Sequence, residues 1–253
     1  MITQNQIKHI KSLQQKKYRR EYREFVLEGP KLVEELANSN FKIKMICGTE
    51  AYLENNPALA ENPGFETLKV SPKQLDRISG LKTPNQVLAV AEIPEQGGQL
   101  PGDLSGLVLV LDGIQDPGNF GTILRTADWF GFDRIICSED TVEIYSPKVV
   151  QATMGALFRV NVFYGDLAGF LQKQKEAPVM GAFLEGENIF DTSLPDNGFL
   201  VIGNESKGIS GEISGLINRR LTIPRFGTNQ SESLNASVAA GIFMAEFRGR
   251  AFS

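Results

Sequence analysis

Short apolar runs alternate with stretches of helical spacing along almost the whole chain. Ile7, Ile10 and Leu13 recur at helix-compatible intervals after Thr3, which with Gln6 makes a capping box, so a basic amphipathic helix is expected at the start. Phe25 to Leu27 reads as a strand, Pro30 to Leu36 as a helix and Ile43 to Cys47 as a second strand. Phe65 to Val70 and Val87 to Ile93 are strand-like, and Ser71-Pro72 between them supplies the cap and first turn of a helix to Ile78. Strands are then expected at 107–111, 134–137, 160–163, 179–183, 199–202 and 221–223, with helices near 120–130, 147–157, 166–175, 211–218 and 235–247. Leu107 to Leu111 is apolar at every position, as suits a strand buried on both faces. The chain therefore reads as α/β, its second part carrying a mostly parallel sheet covered on both sides.

Between the two series, Pro94 to Gly106 (PEQGGQLPGDLSG) has glycines and prolines but little apolar content. It divides the chain into a domain over residues 1–93, a linker over 94–106 and a domain over 107–253. With 253 residues, 42% of them apolar, both parts can fill a core. No run approaches the ~20 apolar residues of a membrane span and the N-terminus lacks an export signal's apolar stretch, so a cytoplasmic protein is expected.

Cys47 and Cys137 lack the spacing of a metal or redox motif and read as buried thiols in a reducing compartment. His9 is the sole histidine and lies far in sequence from every Gly-rich turn, which argues against histidine triads, the common zinc sites and a histidine base. No metal is expected. The net charge of -4 is unevenly spread: residues 1–23 hold seven cations against Glu21 alone, a local +6 that leaves -10 for the remainder. Such a patch can neutralise phosphates although the rest of the protein is acidic, with Lys16, Lys17, Arg19 and Arg20 as the candidate contacts. On charge alone a solvated helix face is the slightly better account of it.

Three strand ends run into unusual loops: DGIQDPGNFG at 112–121, GNESKGISG at 203–211 and PRFGTNQSESLN at 224–235. Parallel strands bring such ends to one edge, where ligands of open α/β sheets bind. Each loop combines small residues with polar groups ill suited to a core: Asn119 with Arg125 just beyond, then Asn204 and Glu205, then Ser233 and Asn235. Neither G-x-G-x-x-G nor G-x-x-x-x-G-K-[ST] is present at the first turn, which disfavours a dinucleotide cofactor and, with it, a nicotinamide-dependent oxidoreductase.

In order, spacing and strand context, DPGNFGTILRTADWFG, LVIGNESKGIS and IPRFGTNQSESLNASVAAGI resemble the three motifs of the SpoU-type (TrmH/RlmB-like) RNA 2′-O-ribose methyltransferases of the SPOUT superfamily. KSLQQKKYRREYREFVLEGPKLVEEL, within residues 1–93, resembles the small, ribosomal-protein-like substrate-binding domain often joined to that family. The loop from Pro224 to Ser233 is longer than the family pattern. The resemblance implies a SPOUT domain with a deep trefoil knot, a homodimer, and S-adenosylmethionine held mainly by backbone at Gly203, Ile223 and Leu234. It implies catalytic or organising roles for Asn119, Arg125, Glu205, Ser233 and Asn235, and an RNA substrate, ribosomal before transfer RNA. The reaction is an in-line methyl transfer to a ribose 2′-hydroxyl, in which positioning and charge stabilisation do most of the protein's part. Arg125 stays protonated and so would stabilise developing charge rather than act as the base. The competing reading is an RNA-binding or ribosome-assembly factor that has lost catalysis, which would keep the basic domain.

Overall fold

The computed structural model describes residues 2–95, 100, 106–174, 176–227 and 233–249. The elements of the first part are α1 (Gln4–Ser12), α2 (Lys16–Tyr22), β1 (Glu24–Glu28), α3 (Pro30–Ala37), β2 (Ile43–Gly48), α4 (Glu50–Glu54), α5 (Pro57–Ala60), β3 (Glu66–Lys69), α6 (Pro72–Ile78) and β4 (Val87–Glu92). There follow β5 (Leu107–Asp112), α7 (Pro117–Trp129), β6 (Arg134–Cys137), α8 (Pro147–Thr153), β7 (Asn161–Tyr164), α9 (Leu167–Lys173), β8 (Val179–Asn188), β9 (Gly198–Gly203), α10 (Gly211–Ser214), β10 (Arg219–Thr222) and α11 (Ala236–Gly249). They form two compact units, one made of the chain up to Glu95 plus Glu143–Phe158, the other of the remainder.

The first unit carries a four-stranded sheet in the order β1-β4-β2-β3, antiparallel except between β2 and β3. The capping box read from the sequence closes, Thr3 with Gln6 starting α1, and the expected cap Ser71 forms a second box with Gln74 at the start of α6. Ile7, Ile10 and Leu13 pack with Leu75, Ile78, Val26 and Leu88 in one apolar cluster. The basic segment is two helices, because the chain turns at Leu13–Gln15 before α2 begins.

That turn explains a correction. Arg19, expected on the phosphate-binding face, is only 3% exposed. Its guanidinium donates to the carbonyls of Leu13 and Gln14, each at 2.9 Å, and to both oxygens of Glu143, at 2.7 and 3.3 Å. It ties the turn to Glu143, and with four of its five N–H donors so committed and its side chain buried it is not presented to phosphate.

Glu143–Phe158, continuous in sequence with the second series, packs within the first unit. Tyr145 lies 4.8 Å from Phe25 between ring centres, Phe158 meets Phe41 edge-on at 5.1 Å, and Gln151 Nε2 donates to the Glu28 carbonyl at 3.0 Å. Val149 and Val150 of α8 are fully buried. The unit is thus discontinuous in sequence, a grouping that the turn residues of 94–106 do not reveal.

The second unit is built on six strands in the order β10-β8-β9-β5-β6-β7, every neighbouring pair parallel. β5 and β9 lie at its centre and are almost wholly buried, as their unbroken apolar runs require. Val108, Val110, Phe199 and Val201 pack against Leu167, Phe170 and Leu171 of α9. The β8–β10 ladder is interrupted: Arg220 pairs with Gly181 and Leu221 with Glu187, so residues 182–186 leave the register. α11 packs along α7, and Arg248 fastens its far end by donating to the carbonyls of Phe130 and Gly131 at 2.9 and 2.8 Å.

Candidate active site

Because the six strands run parallel, β5, β6, β9 and β10 all deliver their C-terminal ends to one edge. The turn after β5 is held from two sides. Gly113, at φ +70, takes a left-handed conformation that a glycine adopts without strain. Its N–H donates to Ser138 Oγ at 2.8 Å, and its carbonyl accepts from Asn204 Nδ2 at 2.6 Å. Asp112, buried at the end of β5, accepts from the Ser210 N–H at 2.7 Å. Asn204 and Gly208 exchange backbone hydrogen bonds at 3.0 and 2.9 Å, closing the loop after β9. A Cβ at Gly203 would stand 2.3 Å from the Gly208 carbonyl carbon, so this loop can fold back only on a residue without a side chain.

Helix α7 begins earlier than its apolar spacing suggests. Asp116 caps it by accepting from the Asn119 N–H at 2.7 Å, and Pro117 occupies the first turn. Asn119 is therefore a helical residue with a fixed side-chain direction. The signal, Asp-Pro ahead of the helix, matches the Ser-Pro pairs at 71–72 and 146–147.

Three of the expected residues meet in one directional chain. Asn235 Oδ1 caps α11, accepting from the N–H of Ser237 at 2.9 Å and of Val238 at 3.3 Å, and from Ser237 Oγ at 2.6 Å. Its oxygen is thereby committed to the helix, and its Nδ2 donates to Asn119 Oδ1 at 2.9 Å. Asn119 Nδ2 then donates to Glu205 Oε1 at 2.8 Å. Each amide has one possible orientation, because the helix end accepts no donor and the carboxylate accepts no acceptor. The relay joins the loops after β5, β9 and β10 and leaves Glu205 Oε2 without a partner in it.

The remaining expected residues lie apart from the relay. Arg125 is exposed, makes no hydrogen bond or ion pair among the described residues, and six residues beyond Asn119 projects from another side of α7. Ser233 is exposed and likewise forms no hydrogen bond among the described residues. Gly203 ends β9, Ile223 follows β10 half-buried, and Leu234, 49% exposed, directly precedes Asn235. None of the three carries a charge. An apolar, half-exposed Leu234 beside the relay is a surface that an adenine ring can cover, which fits a nucleoside cofactor contacted through backbone. Residues 228–232, part of the loop expected to be longer than the family pattern, lie outside the described residues. Asp112 and Ser138, which brace the first loop, carry no sequence signal beyond their place at strand ends.

Both thiols are buried, and burial raises the Cys47 pKa to about 12 and that of Cys137 well above its ordinary value, so neither is a nucleophile at neutral pH. The described residues contain no group of three or more His, Cys, Asp or Glu placed to hold a metal ion, and no helix among them is long and apolar enough to cross a membrane.

Fold and site together define an α/β enzyme whose chemistry sits at the C-terminal edge of a parallel sheet. The chain belongs to the SpoU rRNA methylase family, whose model matches residues 106–245. Residues 4–89 match the MRM3-like substrate binding domain. Over 246 residues, 96% of this chain and 96% of the relative, it is 29% identical to the Bacillus subtilis 23S rRNA (guanosine(2553)-2′-O)-methyltransferase RlmP. Among solved structures, a protein assigned to the TrmH family of RNA methyltransferases from Porphyromonas gingivalis superposes with a TM-score of 0.88 at 40% identity, covering 99% of each chain. An AdoMet-bound rRNA methyltransferase from Sinorhizobium meliloti superposes with a TM-score of 0.86 at 29% identity, covering 100% of this chain and 97% of that one.

Proposed function

We propose that this protein transfers a methyl group from S-adenosylmethionine to a ribose 2′-hydroxyl of ribosomal RNA. The observation that carries the reading is the Asn235–Asn119–Glu205 relay, which holds a carboxylate with one oxygen free among the described residues where three family motifs converge. Ribosomal RNA is preferred to transfer RNA because two relatives that match over nearly the whole chain are named for it. S-adenosylmethionine supplies an electrophilic methyl on a sulfonium. Gly203, Ile223 and Leu234 are the residues we assign to its binding.

In the reaction the carbon–sulfur bond breaks as the carbon–oxygen bond forms, and the 2′-hydroxyl proton leaves for Glu205 or for a water beside it. Arg125 stabilises the negative charge that builds on the 2′-oxygen or on an adjacent phosphate. Asn119 and Asn235 act through Glu205 and are positioning residues, and Ser233 lies near the ribose. The N-terminal unit binds the RNA.

Arg125 shares a face of α7 with Trp129, four residues on and 84% exposed, while Val238 of α11 is 50% exposed. We assign this seam to a two-fold contact, which would carry Arg125 to the partner subunit. A homodimer, a knotted second domain and a cytoplasmic setting complete the reading.

The test is methyl transfer from labelled S-adenosylmethionine to ribosomal RNA lacking the modification, followed by mapping of 2′-O-methyl positions. A single protected ribose is expected. Transfer to no RNA, or to a base, would refute the reading. Sedimentation at micromolar concentration should give a dimer.

A further inference from the structure

The helices that lead into β1 carry a row of aromatic rings with free cations along it. Tyr22, at the end of α2, is 43% exposed. Tyr18, one turn earlier, stacks on it with ring centres 6.0 Å apart and planes 12° from parallel, and the His9 ring stands 4.8 Å from Tyr22, tilted by 60°. Lys17 Nζ stands 5.5 Å from the centre of the Tyr18 ring. His9 is itself held, its Nε2 2.6 Å from Glu24 Oε2. The row is therefore braced along its length while part of Tyr22 stays open.

Two kinds of cation surround it. Lys8, Lys11, Lys16, Lys17 and Arg20 are exposed and form no ion pair among the described residues. Beyond Tyr22 a cleft of about 430 Å³ opens, walled by Tyr22 and Phe41 together with Arg23, Lys42 and Lys44. There the cations are already answered: Arg23 pairs with Glu95 at 2.6 Å, and Lys42 and Lys44 share Glu92 at 3.0 and 2.9 Å. A charge-balanced cleft with an aromatic wall has little to offer a phosphate but suits a flat, uncharged base. The unpaired lysines and Arg20 suit the phosphates on either side.

We infer that this face holds an unpaired nucleotide of the RNA, its base stacked on Tyr22 and its flanking phosphates on Lys16, Lys17 and Arg20. The inference rests on the proposed RNA substrate and deepens it. Aromatic stacking with cations tracking the backbone is the ordinary means of gripping single-stranded RNA, whose bases are free to leave the helix. Tyr22 is no part of the relay and lies outside the apolar cluster of Ile7, Ile10 and Leu13, so its replacement tests binding without touching the chemistry.

The experiment uses the full-length protein and a short single-stranded RNA of mixed sequence carrying 2-aminopurine, whose fluorescence is quenched on stacking. Tyr22→Ala should weaken binding about tenfold and lose the quenching, while Tyr22→Phe retains both. Replacing Lys16, Lys17 and Arg20 by Gln should lower the slope of log affinity against log salt by about two. Affinity for S-adenosylmethionine and the melting temperature should be unchanged, and in the methylation assay KM for RNA should rise while kcat holds. If the wild type methylates ribosomal RNA but Tyr22→Ala binds as tightly and still quenches, the platform is refuted and the methyltransferase reading stands. If the wild type transfers no methyl group yet Tyr22→Ala still loses the RNA, the platform stands and the reading of the relay falls.

Discussion

At the edge of the six-stranded sheet the polar side chains bond to one another, whereas along α1 and α2 they mostly face solvent unpaired. Asn235, Asn119 and Glu205 are chained end to end, and Asp112, Ser138 and Asn204 fix the backbone beneath them. Of the lysines and arginines on the two basic helices, only Arg19 is treated in this way among the described residues, and Arg19 is the one that has become part of the framework. The difference follows from what each region has to do. A group that must stabilise one fleeting arrangement of charge gains from being held in place beforehand. A cation that meets a flexible polyanion gains from being free to move with it. Arg125 is an exception, an arginine of the catalytic unit without a partner among the described residues, and its exposure is what makes it a candidate for use across a two-fold contact.

The largest effect that would test this contrast is on Arg19. Arg19→Ala leaves Glu143 and two carbonyls without their donor in a largely buried setting, and should cost about 3–5 kcal/mol of stability in urea unfolding. The same change at Lys16 should leave the melting curve in place. Equal, small losses at both positions would erase the distinction between framework and contact cations. Arg125→Ala should lower methyl transfer by about 10²–10³-fold while calorimetry shows S-adenosylmethionine bound as before. Near-normal turnover would remove Arg125 from the mechanism.

Asn119→Ala and Asn235→Ala should each reduce kcat by about tenfold, and a double-mutant cycle should return a coupling of about 1 kcal/mol, because each loses the same chain. Strict additivity would mean that the relay is not one unit. The smallest effect concerns an exposed pair. Hydrogen bonds from Arg219 and Thr192 lower the Glu187 pKa from its ordinary 4.5 to about 2. A depressed carboxylate contributes stability that is present above 4.5 and lost as pH falls towards 2, and solvent screening keeps that contribution small. In Arg219→Gln, carboxyl NMR should return Glu187 towards 4.5 with little change in melting temperature at neutral pH.

Much of this architecture is legible in the chain because parallel strands buried on both faces must be apolar throughout. That rule located β5, β6 and β9 to within a residue or so. β8 runs on to Asn188 through exposed, polar positions, where hydrophobic pattern carries no information. The meeting of Asn119, Glu205 and Asn235 was legible as three loops on one edge, although the direction of their hydrogen bonds was not. Arg19 was misread because charge patterning sees a basic run and cannot see which member has a partly buried carboxylate waiting 124 residues away. Asn119 was placed in a loop because glycine spacing outweighed the Asp-Pro cap.

The discontinuity of the first unit also constrains how the protein is made. A chain emerging from the ribosome presents α1 to β4 first, but Phe25, Phe41 and Arg19 complete their contacts only when Tyr145, Phe158 and Glu143 have followed. By then β5, α7 and β6 of the other unit have already been synthesised. The two units therefore cannot be completed one after the other in the order of translation, as domains commonly are. A nascent chain stalled just past Glu95 should remain sensitive to protease, and resistance should come only after residue 158 has cleared the exit tunnel.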